Sequence, residues 1–517
     1  MKKLKQIISL LMAVLMLTAV LCGCADGKDS DKTTSPGEEA SPGDNVKKSE
    51  IVVGIAQDLD DSLDPHKMTA AGTREVLFNV YEGLVKPDSD GNLVPAVAES
   101  YTINEETGDE FTFALRQGVK FHDGSTVTVG DIVYSISRAA GLDTGEPLIS
   151  ALAIISDVSA TDDSTIVVKT SVPNIELIAL IASAYIIPEN SAEDGTLAGT
   201  GPFKFSSRSP QENFIIERFD DYWGEKAYLE KVTYKIFENA EAILMALKGG
   251  AVDLCAHLTS SQAAELSGFT ILEGTMNLVQ ALYLNNNVAP LNDVRVRQAI
   301  SYAVDKQDIM DFIADGHGTA IGSSMYPAFS KYFLDELTDY YATDIDKAKS
   351  LLAEAGYENG FDLEITVPGN YQPHIDTATV LVEQLAKIGI RCKIKTVEWE
   401  TWKEDTYGAR NYQATVCGFD ASTLTASALL SRFVSTNPKN ISYFSNEEYD
   451  EVYAKASTAT NEAEQTELYK RLETILTEQA ANAYIQDMCD LVAVADGIVG
   501  YEFYPLYVID MSKIRYE

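Results

Sequence analysis

The chain is poor in the residues that most enzymes and metal sites use for chemistry. Of its 517 residues, only five are histidine and six are cysteine, and no two histidines stand at the spacing of metal ligands. The sequence also lacks a GxSxG nucleophile elbow, an HExxH motif, a Walker A loop and a GxGxxG loop. We therefore expect no catalytic residues, no metal site and no cofactor.

Basic residues are scarce as well. The 40 Lys and Arg residues are outnumbered by 78 Asp and Glu residues, which gives a net charge of −38. Nucleic-acid binding and polybasic membrane association both need a basic surface, so neither is expected. Beyond the first 21 residues, no apolar run approaches the roughly 20 residues that span a bilayer. This composition also argues against an integral transporter.

The N-terminus has the anatomy of a secretory signal. Three lysines precede the apolar stretch 7–21, which ends in Leu21-Cys22-Gly23-Cys24. This ending resembles the bacterial lipobox, so we predict a signal peptide over residues 1–23 and lipidation of Cys24. The alternative is an ordinary cleaved signal with incidental cysteines. Residues 24–49 contain Ser-Pro-Gly twice and predict a flexible tether to the outer face of the cell membrane, which is the periplasmic side if an outer membrane is present.

The remaining cysteines are widely separated and form no CxxC pair. They are Cys255, Cys392, Cys417 and Cys489. Scattered cysteines in a long chain are more typical of small buried apolar residues than of a disulfide framework. A bridge between Cys392 and Cys417, on neighbouring predicted strands, stays open as an alternative.

Hydrophobic periodicity predicts an α/β protein. Strand-like alternation occurs at 51–56, 111–115, 165–169, 214–218, 232–237, 363–367, 392–397 and 414–417. Helical periodicity occurs at 131–139, 240–248, 293–313, 344–355, 375–388 and 447–479. Asp344 is expected to cap one of these helices and Gly356 to end it. Because several strands follow one another without a helix, we expect mixed sheets in more than one lobe.

A series of short motifs follows a fixed order along the chain. They include Ser62-Leu63-Asp64-Pro65-His66, Val80-Tyr81-Glu82-Gly83-Leu84-Val85, the block 111–135, Gly199-Thr200-Gly201-Pro202-Phe203 and Asp221-Tyr222-Trp223. Together they resemble the family 5 extracellular solute-binding proteins, which are the oligopeptide, dipeptide and nickel-type receptors of ABC importers. The resemblance runs from about residue 50 to residue 517, and the block 111–135 resembles the diagnostic signature of the family.

The resemblance implies a two-lobed periplasmic-binding-protein clamshell of type II with an extra subdomain. The main lobe would comprise 50–83, 198–277 and 487–517, the grafted subdomain 84–197, and the second lobe 278–486. Such a receptor is a monomer that closes on a ligand in the interlobe cleft and delivers it to a membrane permease. An oligopeptide is the expected ligand, with a metal chelate or an oligosaccharide as alternatives. A secreted hydrolase is the alternative from another class.

Aromatic residues at strand ends are the first candidates for the cleft. Trp399 and Trp402 follow the predicted strand 392–397, and Phe419 follows the predicted strand 414–417. Aromatic rings supply broad apolar contact with little rotamer entropy to lose. The alternative is that they are ordinary core aromatics.

The segment that starts at Gly418 departs from the pattern of the peptide receptors. The family commonly has Gly-Trp-x-x-Asp there, and its carboxylate pairs with the α-ammonium of the peptide. This chain reads Gly418-Phe419-Asp420-Ala421-Ser422, and the loop 368–374 has no Arg for a dipeptide carboxylate. Either Asp420 has taken the anchoring role or the cargo is not a free dipeptide. We therefore expect an oligopeptide held by Asp420 and weak or no binding of free dipeptides.

Overall fold

The computed structural model describes residues 49–517, except 57, 60–61, 69, 190, 192–196, 238, 370 and 422. The predicted signal peptide, Cys24, all of the tether except Ser49, and Ser422 lie outside the described residues. Over the part of the chain that the structure describes, no helix combines the length and the apolar composition that a bilayer span requires.

The strands are short, and each of the eight predicted segments falls close to an observed strand, while the other strands were not predicted. They are β1 Glu50–Ile55, β2 Val85–Pro87, β3 Leu93–Pro95, β4 Ala98–Ile103, β5 Glu110–Leu115, β6 Ile155–Asp162, β7 Thr165–Thr170, β8 Phe203–Ser209, β9 Asn213–Arg218, β10 Lys231–Ile236, β11 Leu254–Leu258, β12 Phe269–Thr275, β13 Leu278–Leu284, β14 Thr319–Ala320, β15 Asp362–Pro368, β16 Arg391–Val397, β17 Ala414–Asp420, β18 Asn482–Asp487, β19 Cys489–Ala495, β20 Ile498–Val499 and β21 Arg515–Tyr516. The predicted strand 414–417 therefore continues to Asp420.

The helices are α1 Ala71–Leu77, α2 Val129–Ala140, α3 Leu177–Ile181, α4 Ala240–Lys248, α5 Ser260–Ala264, α6 Val294–Ala303, α7 Lys306–Ala314, α8 Ile345–Glu354, α9 Gln372–Ala386, α10 Trp399–Thr401, α11 Ser427–Leu430, α12 Glu447–Thr458 and α13 Glu462–Glu478. The predicted helices 293–313 and 447–479 are each two helices. Asp305 and Asn461 break them because each side chain accepts a backbone hydrogen bond as a new N-cap.

The caps predicted for α8 are confirmed. The Asp344 side chain accepts a hydrogen bond from the backbone N–H of Lys347. Gly356 has φ +86°, a left-handed conformation that glycine adopts without a Cβ clash. The local sequence therefore determines where this helix begins and ends.

Three sheets form the body of the molecule. A seven-stranded sheet has the order β12-β19-β11-β1-β10-β9-β8, a six-stranded sheet has β14-β18-β13-β17-β15-β16, and a four-stranded sheet has β4-β5-β7-β6. β1 pairs in parallel with β10 and β11, and β15 in parallel with β16 and β17. The two large sheets are therefore mixed, and the prediction of mixed sheets in more than one lobe is confirmed.

The six-stranded sheet is buried on both faces. In β13, Val279, Ala281 and Tyr283 face one core, whereas Leu282 and Leu284 face another. A strand with both faces covered reads as a nearly continuous apolar run, as β13 does. In β17, the residues from Ala414 to Cys417 are buried and Gly418, Phe419 and Asp420 are half-buried, so its side chains become accessible at the C-terminal end of the strand.

The two large sheets are joined at a crossover of two adjacent segments. β12 continues through Met276 and Asn277 into β13, and β18 continues through Met488 into β19. The backbone N–H of Met276 donates to Met488 O at 2.8 Å, and that of Leu278 donates to Asp487 Oδ1 at 3.1 Å. A connection this narrow has the form of a hinge between lobes.

The four cysteines of the described region are free. Cys392 lies on β16 and Cys417 on β17, and β15 separates these strands in the sheet. Strands two places apart are about 10 Å from each other, beyond the roughly 7 Å that a disulfide bridges between Cα atoms. The alternative of a Cys392–Cys417 bridge is therefore wrong.

Candidate functional site

An open cavity lies beside the end of β17, and its empty volume of about 930 Å³ includes open solvent at the mouth. One wall consists of α1, the segment that follows it, the end of α3 and the C-terminal segment. The other wall is the end of β17 and the residues after it. The charged and aromatic residues that line it are Arg74, Phe78, Tyr81, Glu82, Lys86, Tyr185, Asp420, Tyr504, Tyr507 and Asp510.

An ion pair joins the two walls. Arg74 Nη2 on α1 lies 3.5 Å from Asp420 Oδ2 at the end of β17, and the two side chains are 25% and 40% exposed. An ion pair this accessible contributes little to stability because water solvates both partners when it opens. The ion pair itself therefore adds little to the free energy of unfolding.

The Asp420 carboxylate also affects the pKa of Tyr371. Tyr371 is the N-cap of α9 and lies in the loop that has no Arg. Burial and the negative charge of Asp420 raise the pKa of the Tyr371 hydroxyl, which therefore stays protonated. A neutral tyrosine and an arginine thus flank the carboxylate that the sequence singled out.

A buried carboxylate anchors the opposite wall. Glu82 is 3% exposed and accepts hydrogen bonds from Tyr222 Oη at 2.7 Å, Trp223 Nε1 at 2.8 Å and Thr200 Oγ1 at 3.3 Å. Lys86 Nζ lies 2.8 Å from its Oε1. Glu82 therefore links three of the sequence motifs: its own, the one that contains Thr200 and the one that contains Tyr222 and Trp223.

Lys86 is held in its charged form. Burial alone would lower the pKa of this ammonium group, but the Glu82 carboxylate outweighs burial and raises the pKa. The Lys86 side chain remains 31% exposed toward the cavity. The cavity thus contains both signs of charge, each already compensated by a partner.

His257 supports the aromatic part of the wall. Its ring stacks on Tyr507 with centroids 4.5 Å apart, and its two nitrogens lie 3.0 Å from Asp490 and 3.1 Å from Glu75. Burial would lower the pKa of His257, but the two carboxylates outweigh burial and raise it well above its usual value. Tyr507 therefore stacks on a cation and is fixed in position.

The structure places the predicted tryptophans in and against a core. Trp402 is 3% exposed, and its Nε1 donates to Thr415 Oγ1 at 3.1 Å. Trp399 is partly buried and stacks on Trp402 with centroids 5.3 Å apart. Neither lines the cavity. Trp402 therefore has the burial of a core residue, and its indole N–H has a buried partner. Contact of either tryptophan with the ligand stays a prediction.

The described part of the segment 418–422, Gly418–Ala421, is divided between the core and the cavity. Phe419 is partly buried and packs on Tyr283, Tyr407 and the guanidinium of Arg432. A Cβ on Gly418 would lie 2.6 Å from Leu278 Cδ1, so a larger residue here would require the Leu278 side chain to shift. Of the described predicted site residues, only Asp420 lines the cavity.

Sequence reasoning did not find Arg74, Glu82 or Lys86 as site residues. Glu82 stands inside a quoted motif, and its surroundings of large apolar residues were a signal of burial. Arg74 has no local signal because its partner Asp420 lies 346 residues away. Only the fold brings the two together.

Residues 92–441 match the model of the bacterial extracellular solute-binding proteins, family 5. The chain belongs to this family. It is therefore a receptor for a solute outside the cytoplasm, and the predicted family is confirmed.

This solute-binding protein is similar along nearly its whole length to curated relatives. Heme-binding protein A of Haemophilus influenzae is 27% identical to it, and the alignment covers 90% of this chain and 91% of the relative. Oligopeptide-binding protein AppA of Bacillus subtilis is 25% identical, with 98% and 97% covered. The names of these relatives show that one family receives chemically different solutes.

The crystal structure of the ABC transporter substrate binding protein CtaP from Listeria monocytogenes resembles this solute-binding protein. The TM-score is 0.83 at 23% identity, over 91% of this chain and 99% of that chain. The similarity confirms the predicted two-lobed binding-protein fold.

Proposed function

We propose that this solute-binding protein captures an oligopeptide in the interlobe cavity and delivers it to an ABC import permease. The observation that carries the proposal is the Asp420 carboxylate, which lines the cavity with Arg74 as its partner at 3.5 Å. The alignment with the oligopeptide-binding relative over 98% of the chain supports the same ligand class.

In this proposal the α-ammonium of the peptide takes the place of Arg74. A charged terminus that leaves water needs an opposite charge, since burial without one costs several kcal/mol. Asp420 supplies that charge from one wall. The remainder of the peptide lies between the walls, where Tyr504 and Tyr507 offer apolar surface and hydroxyl groups.

Free dipeptides are expected to bind weakly. The loop 368–374 has no Arg, and Tyr371 stands in it as a neutral side chain. The short ligand would leave its carboxylate without the partner that the family's dipeptide receptors have. Trp399, Trp402, Gly418, Phe419 and Ser422 remain predictions as ligand contacts.

The receptor is proposed to have no catalytic activity and to act as a monomer. Lipidation of Cys24 after removal of residues 1–23 would anchor it, through the tether 24–49, to the outer face of the cell membrane. Two acyl chains on one cysteine are enough for stable anchoring. The proposed main lobe is 50–83, 198–277 and 487–517, with the subdomain 84–197 and the second lobe 278–486.

The test begins with the ligand that co-purifies with the protein. We expect mass spectrometry of a denatured extract to identify an oligopeptide, and calorimetry with that peptide to give one site. Asp420→Asn should weaken binding by more than tenfold, because the ammonium loses its counter-charge. Asp362→Asn is the matched control, since this carboxylate is 82% exposed and far from the cavity.

A second ligand distinguishes the contribution of the peptide's α-ammonium from that of the rest of the peptide. The N-acetylated form of the peptide has no ammonium, so we expect it to bind the natural protein weakly and to be indifferent to Asp420→Asn. An extract that contains a tetrapyrrole and no peptide would overturn the proposed ligand. Equal loss of both peptides in Asp420→Asn would overturn the role of Asp420.

A further inference from the structure

Three side chains with metal-binding atoms meet at the crossover between the two large sheets. They are Glu273 on β12, Cys489 at the start of β19 and His317 just before β14. One ligand atom from each, a carboxylate oxygen, the thiol sulfur and an imidazole nitrogen, all lie within 4.8 Å of one another. This cluster is separate from the cavity, whose lining contains none of the three.

Strand register explains why these residues meet. β12 and β19 pair Thr275 with Cys489 and Glu273 with Leu491, so Glu273 and Cys489 share one face of the sheet as diagonal neighbours. On the other side of the crossover, β14 pairs Thr319 with Asp487. His317 precedes Thr319 by two residues and thus reaches the position beside Cys489.

Gly318 allows this close approach. Its φ is +118°, and a Cβ there would lie 2.8 Å from Gln486 Oε1. A side chain at this position would push His317 away from β18 and β19. The backbone is therefore shaped to hold the imidazole against the crossover.

Two of the three groups are already in contact, and all three are at least partly accessible. His317 Nδ1 lies 2.7 Å from Glu273 Oε1, and the two side chains are 42% and 50% exposed. Cys489 is half-buried and free. An ion from solvent can therefore reach the site without unfolding either sheet.

We propose that Glu273, His317 and Cys489 form a binding site for a thiolate-seeking divalent metal ion of the Zn²⁺ class. Thiolate and imidazole ligands select zinc-like ions over Mg²⁺ and Ca²⁺, which prefer sites built from oxygen. Three protein ligands leave a fourth tetrahedral position for water.

The ion would connect the two lobes. Glu273 and Cys489 belong to the seven-stranded sheet, whereas His317 leads into a strand of the six-stranded sheet. A ligand set that spans a hinge binds more tightly in one lobe arrangement than in another. By linkage, the affinity for the metal and the affinity for the cargo then change each other by the same factor.

Co²⁺ is the probe for the test, because a cobalt–thiolate bond gives a charge-transfer absorption band in the near ultraviolet. The full chain is reduced, freed of metal with a chelator and titrated with Co²⁺. We expect one Co²⁺ per chain and displacement of the band by Zn²⁺. Cys489→Ser should abolish the band, and His317→Ala should weaken binding at least tenfold.

Cys392→Ser is the matched control, since Cys392 is also free and half-buried but lies on β16. It should leave the titration unchanged. Glu273→Gln keeps the shape of its side chain and should weaken binding while leaving thermal unfolding of the metal-free protein unaltered. Absence of a saturable cobalt spectrum, or a band that persists in Cys489→Ser, would overturn the proposed site.

Discussion

Two carboxylate–cation pairs face the same cavity and differ mainly in the burial of the carboxylate. Glu82 and Lys86 lie 2.8 Å apart within one wall, and the carboxylate is 3% exposed. Asp420 and Arg74 lie 3.5 Å apart in opposite walls, with both side chains partly exposed. The first pair is surrounded by further hydrogen-bond donors, so it anchors the wall. The Arg74–Asp420 pair can open at little cost in free energy, which suits the ligand contact proposed for Asp420.

The largest expected effect is on the buried pair. Glu82→Gln should lower the free energy of unfolding by about 3 kcal/mol, because it leaves the Lys86 ammonium without a counter-charge. Tyr222 and Trp223 would also lose a charged acceptor. Urea unfolding followed by far-ultraviolet circular dichroism measures the change.

The control is a pair of the same type and distance on the surface. Glu110 and Lys169 lie 2.9 Å apart with side chains 38% and 49% exposed. Glu110→Gln should change the free energy of unfolding by less than about 1 kcal/mol. An equal loss in both variants would show that burial does not distinguish the two pairs.

A third carboxylate shows what burial does without a paired cation. Glu473 on α13 is 0% exposed and accepts a hydrogen bond from Ser323 Oγ at 2.6 Å, and burial raises its pKa to about 8. The folded protein therefore holds a proton that the unfolded chain releases near pH 4.5. The free energy of unfolding therefore falls as the pH rises from 4.5 through about 8, because the folded protein keeps this proton over that range and the unfolded chain does not.

Glu473→Gln removes this titration. The natural protein should lose stability between pH 5 and pH 8 through this group. We expect that loss in the free energy of unfolding to be smaller by about 3 kcal/mol in the variant. Urea unfolding at the two pH values measures it, with Glu110→Gln as the control that should keep the natural slope. An unchanged slope in Glu473→Gln would contradict the raised pKa.

The smallest expected effect is on the exposed pair. Arg74→Gln should change the free energy of unfolding by no more than about 0.5 kcal/mol. Affinity for the co-purified peptide should stay equal or rise about twofold, because the ammonium no longer displaces a cation from Asp420. Calorimetry and urea unfolding of the same preparation give both values. A tenfold loss of affinity would mean that Arg74 itself binds the ligand.

Local patterns predicted much of the fold and little of the site. The strand 111–115, the cap at Asp344 and the stop at Gly356 depend on neighbours within a few residues, so the sequence alone indicates them. The continuous helix 293–313 was wrong because Asp305 can cap a helix as well as interrupt one. Trp402 was harder to predict. Its position after a strand does not reveal that its indole N–H donates to the buried Thr415 hydroxyl.

The amino-acid sequence by itself determined the family, the mixed α/β architecture and the candidate carboxylate Asp420, because ordered motifs and hydrophobic periodicity are properties of the local chain. Tertiary structure alone decided that Arg74 faces Asp420, that Glu82 is anchored by Tyr222 and Trp223, and that Glu273, His317 and Cys489 meet at the crossover. Each of these contacts joins residues that are distant in the chain. Their distances depend on sheet register and on how the lobes close, and neither leaves a local signal in the sequence.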